Sequence, residues 1–209
     1  MKLLLVGATG LVGRHVLELA LADSRVSEVV APVRRALPER PCLQAPQVDY
    51  EQLPEEAHWW SADAVICTLG TTMKVAGSRE AFRRVDHDYP LAIARLARRH
   101  GTPVYVLNSA AGASRHSLFF YSRVKAELEQ QLQTLGFASL TLVRPGLIGG
   151  EREEQRPGEQ ALQRVLRVLG PLLPRAWRIN PASHIARALL EAALTPQPGV
   201  QVVTSAELV

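Results

Sequence analysis

The stretch VGATGLVG, from Val6 to Gly13, decides the fold of this 209-residue chain. Its glycines at positions 7, 10 and 13 follow an apolar run at 2–6 and open a segment, 11–21, with apolar residues at helical spacing. In that context the first glycine allows a tight turn, the second lets the backbone approach a pyrophosphate, and the third lets the helix pack closely on the strand. Free N–H groups and the positive end of the helix dipole then meet the phosphates. The pattern predicts a dinucleotide site; the alternative is a glycine-rich turn that only joins strand to helix.

Short apolar runs alternate with longer helical patterns through the rest of the chain. Fully apolar strands separated by helices indicate a parallel sheet that is covered on both faces. We therefore predict an α/β fold, a doubly wound parallel sheet of Rossmann type, as a single domain over residues 1–209 with a small substrate-side region at about 146–182. Strands are predicted at 2–6, 26–33, 47–50, 64–68, 104–108, 140–144 and 200–204, helices at 11–21, 80–100, 120–135, 160–169 and 183–194, and a mobile loop at 146–159.

The end of the second predicted strand bears on which pyridine dinucleotide binds. An NAD site usually has an acidic residue about 20 residues after the glycines, where it holds the ribose 2′-hydroxyl. Here the strand ends in Arg34 and Arg35, with no carboxylate at that end. A guanidinium can make paired hydrogen bonds to a 2′-phosphate. We therefore expect NADP(H), with NAD less favoured; the alternative is that both arginines face solvent.

The stretch YSRVK, residues 121–125, carries the candidate chemistry. Lys125 is one of 3 lysines in a chain with 21 arginines, and a lysine, unlike an arginine, has a pKa that can be lowered. Tyr121 lies four residues earlier on a predicted helix, so the two side chains share a face. The ammonium then favours the phenolate and lowers the phenol pKa from about 10, so that Tyr121 can exchange a proton with a substrate oxygen. The alternative is a chance spacing.

Ser109 follows the predicted strand 104–108, at the edge of a parallel sheet where ligands bind. It is the candidate hydroxyl donor to a substrate carbonyl, and Asn108 can serve a neighbouring polar contact. The alternative role of Ser109 is to cap or turn the SAAGAS segment.

These stretches carry a family resemblance. VGATGLVG, the strand-end serine and Y-x-x-x-K resemble the short-chain dehydrogenase/reductase superfamily in its extended or atypical branch. CTLGTTMKVAGSREAFRRVDHDY at 67–89, YSRVKAELE at 121–129 and RPG at 144–146 resemble, more specifically, the Tat-interacting-protein-like oxidoreductase subgroup. The resemblance covers most of residues 1–150. Val6 and Asp86 depart from the pattern, because many relatives have Thr before the first glycine and extended members often carry Asn near position 86.

The resemblance implies bound NADP(H) and a catalytic triad of Ser109, Tyr121 and Lys125. The implied cofactor contacts are Gly7, Thr9, Gly10, Leu11, Val12 and Gly13 at the glycine turn, Arg34 and Arg35 at the 2′-phosphate, Asp49 at the adenine, Thr68, Leu69 and Gly70 in the strand-end loop, Tyr121 and Lys125 at the nicotinamide ribose, and Pro145 to Ile148 beside the nicotinamide.

Composition and charge limit the classes of partner, metal site and location that we expect for this protein. The net charge of +4 is mild and shows no basic block of nucleic-acid type, so we expect no nucleic-acid partner. There is no apolar run of about 18 residues, so no membrane span is expected, and six dispersed histidines predict no metal site. The N-terminal apolar run is too short for a signal peptide, and the two cysteines form no C-x-x-C motif. Two buried thiols and a cytoplasmic location are therefore expected.

The function predicted is that of an NADP(H)-dependent oxidoreductase that moves hydride between nicotinamide and a small-molecule carbonyl or alcohol substrate. The alternative is a regulator whose NADP(H) state sets the shape of the loops at 71–80 and 146–159 for a protein partner. The helices at 80–100 and 117–135 are candidate faces for a homodimer. Substrate identity and reaction direction stay open.

Overall fold

The computed structural model describes residues 1–149, 174–175 and 178–209. The predicted helix at 160–169, and most of the predicted loop and substrate-side region, lie outside these residues. The strands are β1 (Lys2–Val6), β2 (Glu28–Val30), β3 (Leu43–Gln44), β4 (Ala64–Cys67), β5 (Val104–Asn108), β6 (Ser139–Arg144), β7 (Ile148–Gly149), β8 (Asn180–Pro181) and β9 (Gly199–Thr204). The helices are α1 (Leu11–Ala22), α2 (Met73–Ala76), α3 (Arg79–Arg83), α4 (Tyr89–Arg99), α5 (Phe120–Gln133) and α6 (Ala182–Leu194), with a π-helical turn at Arg84–Asp88.

Seven of the described strands form one parallel sheet in the order β3-β2-β1-β4-β5-β6-β9. The strand order reverses direction at β1, whose two neighbours are β2 and β4. In such a sheet the crevice beyond the carboxyl ends of the strands at the reversal is the usual ligand site. The predicted doubly wound Rossmann architecture is confirmed.

Both faces of the sheet are covered, which explains why its central strands are apolar throughout. On one face, α1 and α6 pack through residues such as Val16 and Leu189. On the other face, α4 and α5 pack together with Trp59 and Trp60. Full burial of each large apolar side chain contributes about 1.5–3 kcal/mol, so both layers of helices stabilise the sheet.

The second strand is shorter than predicted. The expected strand at 26–33 is regular only over Glu28–Val30, because Pro32 has no N–H to donate to a ladder. The chain rejoins the sheet at a single bridge between Val33 and Gln47, which is all that forms of the strand predicted at 47–50. Strand β3 at Leu43–Gln44 was not predicted.

The predicted helix at 80–100 is interrupted. It consists of α3, the π-helical turn Arg84–Asp88 and α4. The polar segment before it is not a plain loop: the Thr72 and Ser78 side chains cap α2 and α3 by accepting hydrogen bonds from Val75 N and Ala81 N.

The prediction that both cysteine thiols are buried is wrong for one of them. Cys67 is buried, whereas Cys42 is exposed and has a φ of 60°. The left-handed conformation belongs to a turn that precedes β3, and turns of this kind lie on the surface. Among the described residues, none of the helices combines the length and the apolar character needed to span a bilayer.

Candidate active site and cofactor crevice

The glycine turn has the geometry that its sequence predicts. Gly7 has a φ of +89° and its carbonyl accepts a hydrogen bond from Gly10 N at 3.0 Å. A Cβ atom on Gly13 would lie 2.0 Å from the Gly7 carbonyl oxygen, so only glycine fits there. Gly10 is the N-cap residue of α1 and has no side chain to cover the first N–H groups of the helix. The turn is therefore an open cradle at the positive end of α1, which suits a phosphate.

A cavity of about 1070 Å³ extends from this turn across the ends of β1 and β2. The predicted residues Gly7, Thr9, Leu11, Arg34, Arg35 and Leu69 line it. Three further basic residues, which were not predicted as contacts, also line it: Arg14, His15 and Arg40. Arg34, Arg35 and Arg40 are all exposed, and Arg40 forms an ion pair with Glu18. The basic wall fits the phosphate-bearing half of a dinucleotide.

Asp49, predicted at the adenine, is not among the residues that line this cavity. Its carboxylate accepts a hydrogen bond from the Glu51 N–H at 2.9 Å. The neighbouring Tyr50 lines the cavity instead, and its hydroxyl donates to the Pro32 carbonyl at 2.9 Å. Burial raises the pKa of Tyr50 well above its ordinary value.

A second cavity, of about 360 Å³, lies beside the first and shares Leu11, Arg14 and Leu69 with it. The two cavities lie side by side at the carboxyl ends of the strands, and we call them together the crevice. The predicted residues in the second lining are Gly10, Leu11, Val12, Thr68, Leu69, Gly70, Ser109, Tyr121, Lys125 and Ile148, and Asp86 and Asn108 join them. The structure therefore brings the whole predicted triad to the crevice that begins at the glycine turn.

Lys125 is buried, with 3% of its side chain exposed, and its ammonium lies 2.8 Å from the Asp86 carboxylate, whose side chain is 1% exposed. Burial acts to lower the pKa of Lys125, but attraction to the Asp86 carboxylate, and then to the Tyr121 oxygen, outweighs it and leaves the pKa above its ordinary value. The lysine is thus a fixed cation at neutral pH. The predicted placement of an ammonium one helical turn from the phenol holds, with a carboxylate added.

Tyr121 lies at the mouth of the second cavity, where 39% of its surface is exposed. Its ring packs against that of Phe82, with the centroids 5.7 Å apart. Phe82 is fully buried and also contacts Phe120, with the centroids 5.8 Å apart. The Tyr121 ring is therefore held by aromatic packing while the side chain stays partly exposed at the cavity.

Ser109 makes a contact that its sequence position does not suggest. Its hydroxyl donates to Glu129 Oε1 at 2.6 Å, and the same carboxylate is paired with Arg144, whose Nε lies 2.9 Å from Oε1. Glu129 is four residues after Lys125 on α5, so its burial could have been inferred from the shared helix face. Ser109 can polarise a carbonyl only when its hydroxyl exchanges Glu129 for the substrate oxygen.

Two other predicted neighbours of the nicotinamide are placed as follows. Pro145 is not part of the lining, and its carbonyl accepts a hydrogen bond from Ala111 N at 2.7 Å. Ile148, at the start of β7, does line the cavity. Asn108 lines it as well, and its Oδ1 is buried with no hydrogen-bond partner in the described structure.

Comparison with known proteins agrees with this geometry. A family model described as NAD(P)H-binding matches residues 7–164. The chain belongs to the NAD(P)H-binding family. Family membership agrees with the open glycine cradle and with the crevice that continues from it.

Full-length relatives refine the assignment within that family. The chain is 36% identical to the protein fmp52, mitochondrial, of Aspergillus fumigatus, over 93% of this chain and 88% of that protein. It is 34% identical to the rat protein HTATIP2, over 93% of this chain and 82% of that protein. The predicted resemblance to the Tat-interacting-protein-like subgroup is confirmed.

The predicted location is wrong. Several of the fungal relatives, from Aspergillus fumigatus, Aspergillus clavatus and Aspergillus niger, are named as mitochondrial proteins. These names contradict the cytoplasmic location expected from the sequence.

Solved structures share the fold at low sequence identity. MoeE5 in complex with UDP-glucose and NAD superposes with a TM-score of 0.74 at 20% identity, over 97% of this chain and 75% of that one. The UDP-glucuronic acid 4-epimerase of Bacillus cereus in complex with NAD gives 0.72 at 14% identity, over 98% and 78%. These likenesses concern the fold alone.

Proposed function

We propose that the protein is an NADP(H)-dependent oxidoreductase that transfers hydride between the nicotinamide and a carbonyl or alcohol carbon of a small molecule. The observation that carries the proposal is the lining of the second cavity, in which Tyr121 and Lys125 occur together with Gly10 of the glycine turn. A cofactor seated on the cradle would extend along this crevice toward the phenol.

The residues present fit a dinucleotide, because Gly10 leaves the first N–H groups of α1 without a side-chain cap and Gly13 lets the helix pack directly on the Gly7 carbonyl. The N–H groups at the start of α1 would hold the pyrophosphate, and Arg34 and Arg35 would hold a 2′-phosphate. The bound cofactor supplies the hydride. The protein supplies position and charge.

The proton chemistry falls to the residues of the second cavity. Tyr121 would give a proton to the substrate oxygen during reduction and take one during oxidation. The Lys125 ammonium would hold the nicotinamide ribose and stabilise the charge that develops on the phenol. Ser109 would polarise the carbonyl after exchanging its bond to Glu129. The adenine contact of Asp49 stays a prediction, and so does a homodimer through the helices predicted at 80–100 and 117–135.

Cofactor choice is tested by fluorescence titration with NADPH and NADH. Arg34→Ala should weaken NADPH binding about 10-fold or more, since a hydrogen bond to a charged group contributes about 1.5–3 kcal/mol. NADH binding should change little. Arg95→Ala is the charge-matched control, because Arg95 is exposed on α4, away from the crevice lining. Equal losses of NADPH and NADH affinity would refute the role of Arg34 in choosing NADP.

Catalysis is tested with a panel of carbonyl compounds and NADPH. Tyr121→Phe should lower kcat about 10²–10⁴-fold, the usual contribution of a general acid, and leave NADPH affinity near that of the parent protein. Tyr89→Phe is the matched control, because the Tyr89 hydroxyl binds Glu51 outside the second cavity. Tight NADPH binding with no turnover on any carbonyl, unaffected by Tyr121→Phe, would refute the enzyme and favour a cofactor-binding regulator.

A further inference from the structure

The Asp86 carboxylate is the least expected group in the second cavity. Its Oδ1 lies 2.8 Å from the Lys125 ammonium, and its side chain is almost fully buried. Burying two charges together is stable only when the geometry is good and the remaining lone pairs are satisfied. The Asp86 carboxylate meets both conditions, because one oxygen pairs with Lys125 and the other accepts a hydrogen bond.

The second oxygen of Asp86 accepts a hydrogen bond from the Thr71 N–H at 2.7 Å. Thr71 belongs to the loop that follows β4 and contributes Thr68, Leu69 and Gly70 to the crevice. One carboxylate therefore ties the loop beside the cofactor to the helix that carries the phenol. The contact is close on the loop side too, because a Cβ atom on Gly70 would lie 3.3 Å from Asp86 Oδ1.

The backbone under Asp86 is a π-helical turn, Arg84–Asp88. Such turns add one residue to a helix locally and are frequent at functional sites. In this chain the turn places a buried acid at the end of the crevice, while the helix continues as α4 on the far side.

The charge of this carboxylate matters for the phenol. A lone ammonium near Tyr121 would favour the phenolate strongly, whereas an ammonium paired with a carboxylate has a weaker net effect. Within the described part of the chain, the charged or titratable groups that act on Lys125 are Asp86 from the π-helical turn, Tyr121 from its own helix and Cys67 from β4. Burial keeps the pKa of the Cys67 thiol above its usual range, so this thiol carries no charge at neutral pH.

We propose that Asp86 is a positioning residue that holds the Lys125 ammonium in place and offsets part of its charge, so that Tyr121 rests as the protonated phenol that carbonyl reduction requires. This inference rests on the proposed function. In reduction, the carbonyl carbon accepts hydride from NADPH and the carbonyl oxygen accepts the Tyr121 proton, which yields an alcohol, NADP⁺ and a phenolate that solvent reprotonates.

The first test uses the unmodified protein without cofactor. With only 3 lysines and 4 tyrosines in the chain, NMR of protein labelled with ¹³C at the lysine ε and tyrosine ζ carbons can follow each group separately. Lys125 should remain an ammonium at a pH above the ordinary lysine pKa of about 10.4. Loss of the Lys125 proton below that pH would overturn the proposal.

The second test is Asp86→Asn, which removes the charge but keeps an oxygen that can accept from Thr71. The Tyr121–Lys125 pair should then lose its first proton about one pH unit or more below the parent value. The alkaline limb of kcat/KM for carbonyl reduction should move by the same amount, and Asp86→Glu should restore it in part. Asp88→Asn, in the same turn with 48% of the side chain exposed, is the matched control.

These experiments distinguish an incorrect role for Asp86 from an incorrect proposed function. If the parent protein reduces a carbonyl and Asp86→Asn leaves both the NMR titration and the pH profile unchanged, the role of Asp86 is refuted while the enzyme stands. If the parent protein neither binds NADPH nor reduces any carbonyl, the enzyme is refuted, and the NMR titrations still decide whether Asp86 holds Lys125 charged. If Asp86→Asn does not fold, the lysine titration of the parent protein decides alone.

Discussion

The substitution Gly13→Ala tests the packing on which the cofactor cradle depends. The added Cβ atom would lie 2.0 Å from the Gly7 carbonyl oxygen and 2.7 Å from Thr68 Oγ1. An ordinary contact needs more than 3 Å, so α1 and the turn would have to separate by about 1 Å. The clash is with backbone, which cannot rotate away, and overpacking of this kind costs about 3 kcal/mol at the upper end of its usual range.

Alanine also favours a helix over glycine by about 1 kcal/mol, which offsets part of that cost. The net expectation is a loss of about 2 kcal/mol of unfolding free energy, or about 4–8 °C in Tm for a chain of this length. NADPH affinity should fall as well, because separating α1 from the turn moves the N–H groups that would hold the pyrophosphate. Thermal unfolding monitored by circular dichroism measures the first effect, and fluorescence titration measures the second.

Gly10→Ala is the matched comparison. Its Cβ atom would lie 3.3 Å from the same Gly7 oxygen, which a shift of a few tenths of an ångström relieves. We expect a Tm within about 2 °C of the parent protein, but weaker NADPH binding, since this residue faces the cofactor crevice. A Gly13→Ala protein that keeps both its Tm and its NADPH affinity would refute the cradle.

Three further outcomes are expected. Glu129→Gln should lower the unfolding free energy by about 2 kcal/mol in chemical denaturation, because the buried Ser109 hydroxyl loses a charged acceptor; an unchanged midpoint would contradict this. Tyr50→Phe should cost about 1 kcal/mol in the same assay, because the Pro32 carbonyl loses its donor, and no loss would show that water replaces the hydroxyl. Hydrogen bonds from Arg25 lower the pKa of Asp23 to about 2. The stabilisation from this carboxylate should therefore be present above its ordinary pKa and disappear as the pH falls toward 2. An NMR titration that gives Asp23 a pKa near the ordinary 3.8 would contradict this expectation.

The features that could be predicted from the sequence are local. Gly7 and Gly13 predict the turn, because each glycine is required by steric contacts within a few residues. The apolar strands predict a sheet that is covered on both faces. Tyr121 and Lys125 were recognised because a helix fixes the relation between residues four apart. In each case the physical cause lies within a few residues along the chain.

The features that could not be predicted depend on contacts between distant segments. Asp86 meets Lys125 across 39 positions, and it does so from a π-helical turn that hydrophobic periodicity does not reveal. Ser109 finds Glu129 only once α5 packs on the sheet. Strand β3 is two residues long and forms because β2 offers it an edge. None of these pairings produces a pattern in the neighbouring residues of the sequence from which it could be predicted.

The burial of Lys125 has a practical consequence for labelling. Amine-reactive reagents can reach the N-terminus, Lys2 and the exposed Lys74, but not a lysine with 3% of its side chain exposed. Lys74 lies in α2 beside Val75, which lines the second cavity. A fluorescent dye or a surface linker coupled through amines should therefore leave the Lys125 ammonium intact, and a dye on Lys74 would report on ligand entry from just outside the cavity.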